Sequence, residues 1–267
     1  MNNHKILFRK GLAEQGEYES CVKFFDTYEY RTELPRDSII IGRYSVLPYY
    51  QELYNELARK NCTLMNNYDQ HRYIADITNY YEDLKDFTPK TWDNWSDLPS
   101  DTSFVLKGKT NSRKFNWKDL MFCKDVNEVK TKANRLLDDT LILEQGIVVR
   151  EYVPLKRFDT GVNGMPISNE WRFFCLYDQI VDYGYYWYEE YAPSKISEGA
   201  IELVNKVMPI VSKNANFYVI DVAETENGEW IVIELNDGQM SGLSQINCDS
   251  FYLNLSKAIE KVYDLQK

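Results

Sequence analysis

The sequence lacks several features that mark common kinds of functional site. It has only two histidines, His4 and His71, in 267 residues, so a histidine-rich metal site is not expected. Its five cysteines lie far apart with no Cys-x-x-Cys pair, a pattern typical of reduced, buried thiols in a cytosol. The phosphate-binding pattern GxxxxGK followed by serine or threonine is absent as well.

Long apolar runs and an excess of positive charge are also missing. No apolar run approaches the length of a membrane span, and the N-terminal stretch MNNHKILFRKGLAEQ has no apolar signal core. Lysine and arginine total 31 against 41 aspartates and glutamates, which gives a net charge of −10. Because a negative field repels nucleic acid, we expect a soluble cytoplasmic protein with no nucleic-acid partner and no membrane contact.

The sequence contains enough apolar residues for a folded protein of two lobes. The hydrophobic content is 44% and the aromatic content 15%. In residues 1–90 strands alternate with helices, which predicts a small parallel α/β lobe. One of the predicted helices is DQHRYIADITNYYEDL, which places Tyr73, Ile77, Tyr80 and Leu84 on one face. FTPKTWDNWSDLPSD breaks the pattern near residue 90, and residues 91–267 mix hairpins with helices, which indicates α+β.

Two hairpins are predicted in the second part. EWRFFCLYDQIVDYGYYW is expected to turn at Asp178-Gln179, and FYVIDVAETENGEWIVIELN at Asn227-Gly228, a strong two-residue turn signal. With that second turn Glu226 faces Glu229, and Asp221 lies directly opposite Glu234.

The pair Asp221 and Glu234 calls for a cation. Side chains paired directly across two strands have Cβ atoms about 4.5–5.5 Å apart, so two carboxylates there repel each other. Asn236 shares the face of Glu234, because strand side chains alternate. Two carboxylates and an amide oxygen suit Mg²⁺. The alternative is a solvated hairpin rim, but apolar neighbours favour the metal site; they are Val219, Ile220, Ile231 and Ile233.

A basic phosphate site is expected wherever a carboxylate-held Mg²⁺ binds substrate phosphates. Lys107 ends the apolar strand SFVL, and the loop GKTNSRK that follows adds Lys109, Arg113 and Lys114. Taken alone, this loop is more typical of a basic surface than of a nucleotide site.

Two further strands carry charged pairs. GIVVREYVPL places Arg150 and Glu151 in a buried-looking strand, and SNEWRFF places Glu170 and Arg172 on one face of another. A surface ion pair explains Glu170 and Arg172 equally well when each residue is viewed singly.

The order of these elements resembles the ATP-grasp superfamily. A strand lysine is followed by the strand VVREYV, a glutamate at the start of a hairpin, a strand aspartate and the motif IELNDGQMSGL. The pieces IIIGRYSVLPYYQEL, QHRYIAD and TPKTW resemble an ATP-grasp clade of phages and bacteria that is named for two arginines and a lysine. The similarity runs from about residue 38 to the end. It implies two α+β lobes that grip ATP (91–150 and 151–267), preceded by a small α/β lobe (1–90).

The resemblance implies a set of ATP-binding positions. Lys107 would bind the α- or β-phosphate, and Glu151 and Val153 would lie in the hinge that takes the adenine. Glu170 would hydrogen-bond the ribose hydroxyls. The second phosphate lysine has no clean match: Lys109 is a candidate, with Arg113 and Lys114 as alternatives.

The resemblance also implies a metal site and two catalytic arginines. Asp221, Glu234 and Asn236 would bind Mg²⁺, while Arg150 and Arg172 would act on phosphate or on a substrate carboxylate. Many members carry an arginine two residues before the metal-binding aspartate, where this chain has Val219, and Arg172 is a candidate replacement. The glycine-rich lid loop has no clean match.

The expected activity is that of an ATP- and Mg²⁺-dependent carboxylate–amine ligase, in the host cytoplasm if the protein is phage-encoded. A substrate carboxylate would attack the γ-phosphate of ATP, and an amine would capture the acyl-phosphate to give an amide. The substrates would be small molecules or peptides. A kinase using the same ATP site and a non-catalytic ATP-binding interaction protein are the alternatives. The aromatic run at 183–191 either lines a substrate cleft or packs the hairpin on a helix.

Overall fold

The N-terminal part is a small parallel sheet with helices around it. A computed structural model describes residues 3–265, with side chains as far as residue 262. The elements are β1 (His4–Phe8), α1 (Glu17–Cys21), β2 (Thr27–Tyr28), β3 (Ile39–Arg43), α2 (Tyr50–Ala58), β4 (Thr63–Leu64), α3 (Tyr68–Ala75) and α4 (Ile77–Leu84). The strand order is β2-β1-β3-β4, with every pair parallel, as the alternation of strands and helices predicted.

Residues 68–84 form two helices, so the prediction of one continuous helix is wrong. Asp76 separates them with an extended backbone (φ −103°, ψ 114°). Its N–H closes α3 on the Arg72 carbonyl, and its carboxylate accepts a hydrogen bond from Thr78 N (2.9 Å) to cap α4. Apolar periodicity does not register a break made by a side-chain cap. The fully buried members of the predicted face are Ile77, Tyr80 and Leu84.

The middle part, here called the small lobe, is an antiparallel sheet with its own core. Its elements are β5 (Thr91–Trp92), β6 (Phe104–Gly108), β7 (Phe122–Cys123), α5 (Val126–Leu136), α6 (Thr140–Gln145) and β8 (Ile147–Glu151). The strand order is β5-β8-β6-β7. Phe104, Leu106 and Val149 of the sheet pack against both helices, which fixes the position of the strand that carries Lys107.

The last part, the large lobe, is a four-stranded antiparallel sheet covered on both faces. Its elements are β9 (Arg157–Thr160), β10 (Pro166–Ser168), β11 (Glu170–Leu176), β12 (Gln179–Tyr185), α7 (Glu198–Val211), β13 (Phe217–Glu224), β14 (Trp230–Asp237) and α8 (Cys248–Leu265). The main sheet has the order β12-β11-β13-β14, and β9 pairs with β10 in a separate hairpin. One face packs on α4 and α7, and the other packs on α8 and the N-terminal sheet.

The hairpin of β13 and β14 pairs Asp221 with Glu234 as predicted, although its turn differs from the prediction. Thr225 N bonds the Glu229 carbonyl (2.8 Å) and Gly228 lies at φ +85°, so the loop spans 226–228 and Glu226 does not face Glu229. A bulge between the Asp221 and Val222 pairs restores the predicted register. The loop is one residue longer than predicted, and β14 has one extra residue at the bulge, so the two shifts in register cancel.

The hairpin of β11 and β12 turns one residue earlier than predicted. Leu176 pairs with Gln179, so Tyr177 and Asp178 form the turn, with Tyr177 at φ +52°. A tyrosine in the left-handed region is uncommon, which is why the pattern of turn-forming residues did not single it out. Across residues 3–265, no helix has the combination of length and apolar character that crossing a bilayer requires.

Candidate active site

A cleft lies between the small lobe and the large lobe. Strands β6 and β8 line it from one side and β14 from the other, while the β9–β10 hairpin and the loop after β6 complete its rim. Its apolar lining includes Val105, Trp117, Met121, Leu155, Ile231 and Ile233. A flat, uncharged ring system would fit between such walls.

Three charged residues form one row across the large sheet. Arg172 on β11 pairs with Asp221 on β13, which pairs with Glu234 on β14. Arg172 grips Asp221 with two hydrogen bonds, Nε to Oδ1 at 2.9 Å and Nη2 to Oδ2 at 2.8 Å. Asp221 is fully buried, and Asn236 Nδ2 lies 3.4 Å from its Oδ2. The sheet register therefore brings the predicted carboxylates, the amide and one predicted arginine together.

Lys107 faces this row from the small lobe. Its Nζ contacts Oε2 of Glu234, and each of the two side chains is only 10% exposed. Burial, together with the positive charges of Arg150 and Lys114, lowers the pKa of Lys107 well below its ordinary range. A phosphate anion in the cleft would favour the charged form of this amine.

Of the basic residues in the following loop, the structure brings Lys114 into the cleft and leaves Lys109 outside it. Lys114 Nζ lies 3.8 Å from Glu170 Oε1 and 3.9 Å from Glu234 Oε1. Lys109 Nζ pairs instead with Asp93 (2.7 Å), and Arg113 Nε donates to Asp139 (2.8 Å). The sequence left this choice open, because loop side chains are placed by tertiary contacts.

Glu170 carries a buried oxygen that accepts no hydrogen bond from any residue the structure describes. The residue is 3% exposed, and Lys114 Nζ, at 3.8 Å from its Oε1, lies beyond hydrogen-bonding distance. Burial raises the pKa of this carboxyl. A buried polar atom without a hydrogen bond is costly, and this one belongs to a residue in the wall of the cleft, where a donor from a ligand would satisfy it.

Arg150 lines the cleft and also ties the two lobes together. Its Nη1 donates to the Ile233 carbonyl (2.6 Å), and its Nη2 donates to the Thr88 hydroxyl (2.6 Å). Its Nε lies 3.3 Å from Thr91 Oγ1. Both threonines belong to the stretch TPKTW, whose role the sequence did not reveal; here it orients the Arg150 guanidinium. Glu151 and Val153 line the cleft next to Arg150, where the chain leaves β8.

The predicted metal-binding residues offer only oxygen ligands. Within residues 3–265 no three His, Cys, Asp or Glu side chains are grouped as a metal site. Asp221, Glu234 and Asn236 supply two carboxylates and one amide oxygen, which is a hard, oxygen-only set. Mg²⁺ commonly takes one or two carboxylates and completes its shell with phosphate oxygens and water, so the residues fit this ion when a phosphate is bound.

Arg43 and Asp237 are polar residues that the protein satisfies internally. Arg43 bonds Glu17 (Nη2 to Oε1, 2.7 Å) and the Gly238 carbonyl (2.7 Å). Asp237 accepts from Asn66 Nδ2 (3.0 Å) and from Gln239 N (2.9 Å). These bonds fix the loop after β14 to the N-terminal part.

A sequence model of a known protein family matches the chain. The model describes an ATP-grasp domain, family 3 of the clade named for two arginines and a lysine, and it matches residues 94–255, which is more than half of the chain. The protein belongs to this ATP-grasp family. The family and the ATP-grasp fold expected from the sequence are thereby confirmed.

Solved structures share the ATP-grasp fold at low sequence identity. D-cycloserine synthetase DcsG aligns with a TM-score of 0.62 at 13% identity, over 96% of this chain and 99% of that one. An ATP-grasp RimK domain protein from Sphaerobacter thermophilus aligns with a TM-score of 0.58 at 12% identity, over 94% and 98%. D-alanine–D-alanine ligase from Bacillus anthracis, complexed with ATP, aligns with a TM-score of 0.58 at 12% identity, over 98% and 97%. No functionally curated sequence matches the chain.

Proposed function

We propose that the protein is an ATP-dependent carboxylate–amine ligase that forms an amide bond through an acyl-phosphate and releases ADP and phosphate. One observation carries this proposal: the row of Arg172, Asp221 and Glu234 meets Lys107 at Glu234, in the wall of a cleft that also has an apolar lining. Membership of the ATP-grasp family supports ATP as the nucleotide. We also propose the divisions 1–90, 91–150 and 151–267 as functional units.

ATP would lie along the cleft with its base between the apolar side chains of the lining. The chain at Glu151 and Val153 would receive the adenine, and the unpaired oxygen of Glu170 would accept a hydrogen bond from a ribose hydroxyl. Lys107 and Lys114 would hold the phosphates. Lys114 takes the place expected of Lys109, because Lys109 is engaged with Asp93.

Asp221, Glu234 and Asn236 would hold Mg²⁺ once a phosphate is present. The bound ion would offset negative charge on the phosphate oxygens. Before that, Arg172 pairs with Asp221 and Lys107 contacts Glu234, which explains how two carboxylates are tolerated on paired strand positions.

The chain's own cations would support the two chemical steps. An oxygen of the substrate carboxylate attacks the γ-phosphorus, and the bond to the β-phosphate oxygen breaks to release ADP. The amine nitrogen then attacks the acyl carbon, loses a proton and expels phosphate. Lys107, Lys114 and Arg172 would stabilise the negative charge that develops on phosphate. Arg150 would hold β8 against β14, so that both walls of the cleft keep their spacing.

The proposal is tested with Mg-ATP and pools of amino acids, small carboxylates and peptides. ADP release should depend on both a carboxylate and an amine, and mass spectrometry should find a product lighter than the two substrates together by one water. With the carboxylate labelled by ¹⁸O, one label should appear in the released phosphate. A phosphorylated product without an amide would show a kinase, and binding of Mg-ATP without turnover would show a binding protein.

A further inference from the structure

The aromatic run at 183–191 contains one residue that contacts two cations of the candidate site. Tyr185 is buried and donates its hydroxyl to the Ser168 carbonyl (2.9 Å), and Tyr183 stacks on Phe173. Tyr188 is 59% exposed. Tyr186 differs from these neighbours, because besides an edge contact with the Trp187 ring it contacts both Lys114 and Arg172.

The contacts of Tyr186 reach one cation from each lobe. Lys114 Nζ donates to the Tyr186 hydroxyl at 2.7 Å and lies 4.0 Å from the centre of the ring. The Arg172 guanidinium carbon lies 4.8 Å from the same centre. The Tyr186 backbone is fixed by the bond from its N–H to the Glu170 carbonyl (2.9 Å). The ring therefore joins the loop after β6 to the charged row of the large sheet.

The hydroxyl of Tyr186 lies closer to Lys114 than either neighbouring carboxylate does. Lys114 Nζ is 3.8 Å from Glu170 and 3.9 Å from Glu234, but 2.7 Å from Tyr186. Lys114 and Arg172 are two cations on the same aromatic ring, and like charges repel. An aromatic face attracts cations without adding a negative charge, so the Tyr186 ring can hold both cations in place without neutralising either of them.

We propose that Tyr186 is a positioning residue for the phosphate end of the cleft. Its hydroxyl holds Lys114 in the cleft, and its ring keeps the Lys114 ammonium beside the Arg172 guanidinium. This inference rests on the proposed ATP site. It predicts that Tyr186 governs affinity for the phosphates of ATP and not affinity for the base or sugar.

The experiment measures the Kd of the whole protein for Mg-ATP and for adenosine by calorimetry. Tyr186→Phe, which keeps the ring, should raise the Kd for Mg-ATP about tenfold, and Tyr186→Leu should raise it about thirtyfold. The Kd for adenosine should stay within about twofold, because the lost contacts concern groups that meet phosphate. Tyr188→Leu, in the same aromatic run, is the matched control and should leave both Kd values unchanged.

A double-mutant cycle separates positioning from folding. In a Lys114→Met background, Tyr186→Phe should change the Kd for Mg-ATP by less than about twofold, because the partner of the hydroxyl is gone. If Tyr186→Leu fails to fold, Tyr186→Phe and this cycle decide. Unchanged Mg-ATP affinity in Tyr186→Phe, or an equal loss for adenosine, overturns the inference while leaving the ATP site intact. Failure of the wild-type protein to bind Mg-ATP overturns the ATP site and this inference together.

Discussion

Two polar clusters lie on opposite faces of strand β14, one that includes Glu234 and one that includes Asp237. The cleft cluster faces the small lobe and consists of Lys107, Lys114, Glu170, Arg172, Asp221 and Glu234. The clamp faces the N-terminal part and consists of Tyr50, Asn66, His71, Asp237 and Gln239. Apart from the partly exposed Lys114, both clusters are buried, and both contain carboxylates, yet they differ in how many hydrogen bonds the protein itself supplies to them.

The clamp is hydrogen-bonded from within the protein. Asn66 donates to the Phe217 carbonyl (2.7 Å) and to Asp237 (3.0 Å), and its Oδ1 accepts from two backbone N–H groups. Asp237 also pairs with His71 Nδ1 (3.0 Å), whose ring stacks on Tyr50 at 3.8 Å. In the cleft cluster, by contrast, Glu170 Oε1 has no hydrogen-bond partner among the described residues, and Lys107 is a strongly desolvated amine. Buried polar groups with all their hydrogen bonds made within the protein support the fold, whereas incompletely hydrogen-bonded ones are typical of ligand sites.

The largest effect is expected from removing a charge in the cleft cluster. Asp221→Asn should lower Mg-ATP turnover about 10²–10³-fold, because it removes a proposed metal ligand and leaves the Arg172 charge uncompensated. Single-turnover measurement of ADP release checks this, with thermal unfolding recorded alongside. Full activity in Asp221→Asn would remove Asp221 from the metal site.

The next effect is expected in the clamp, where it should concern stability. Asn66→Ala leaves several buried partners unsatisfied and should lower the free energy of unfolding by about 2–4 kcal/mol. For a chain of this size the melting temperature should then fall by about 5–15 °C. The Kd for Mg-ATP, measured below the transition, should stay near the wild-type value. An intact melting temperature combined with lost ATP binding would reverse the roles of the two clusters.

The sequence predicted the cleft better than the clamp, and for physical reasons. Asp221, Glu234 and Asn236 follow from strand alternation and hairpin pairing, which are local rules. Even there, the register was predicted correctly only because the bulge on β14 offsets the longer loop. The clamp joins Asn66 and Asp237, which are 171 residues apart in the chain, and no local pattern indicates such a pairing. The break between α3 and α4 was missed because it depends on the single cap made by Asp76.

A smaller effect distinguishes the lysines that the sequence could not rank. Lys114→Met should raise the Kd for Mg-ATP about tenfold, since it removes a cation from the phosphate end. Lys109→Met is the matched control from the same loop and should change the Kd less than about twofold, because Lys109 is engaged with Asp93 outside the cleft. The opposite order would assign the phosphate to Lys109.

The smallest effect is expected for His4 in the N-terminal sheet, whose contribution to the stability of the protein depends on pH. Burial and the neighbouring Lys5 lower the pKa of His4 from 6.5 to about 4. A histidine with a lowered folded pKa contributes stability above its unfolded pKa, and this contribution is lost as the pH falls from 6.5 towards 4. His4→Gln should therefore show a shallower loss of stability over that range in urea unfolding. Identical slopes for the two proteins would show that His4 titrates normally.

The most direct measurement of the central claim is a calorimetric titration of wild-type protein and Glu234→Gln with ATP, with and without Mg²⁺. Glu234 contacts Lys107 across the cleft and pairs with Asp221 along the sheet, so it joins the proposed phosphate and metal sites. We expect one Mg²⁺-dependent site in the wild-type protein and at least a tenfold weaker one, by about 1.4 kcal/mol or more, in Glu234→Gln. Equal, Mg²⁺-independent binding by both proteins would contradict the assignment of the cleft cluster as the Mg-ATP site.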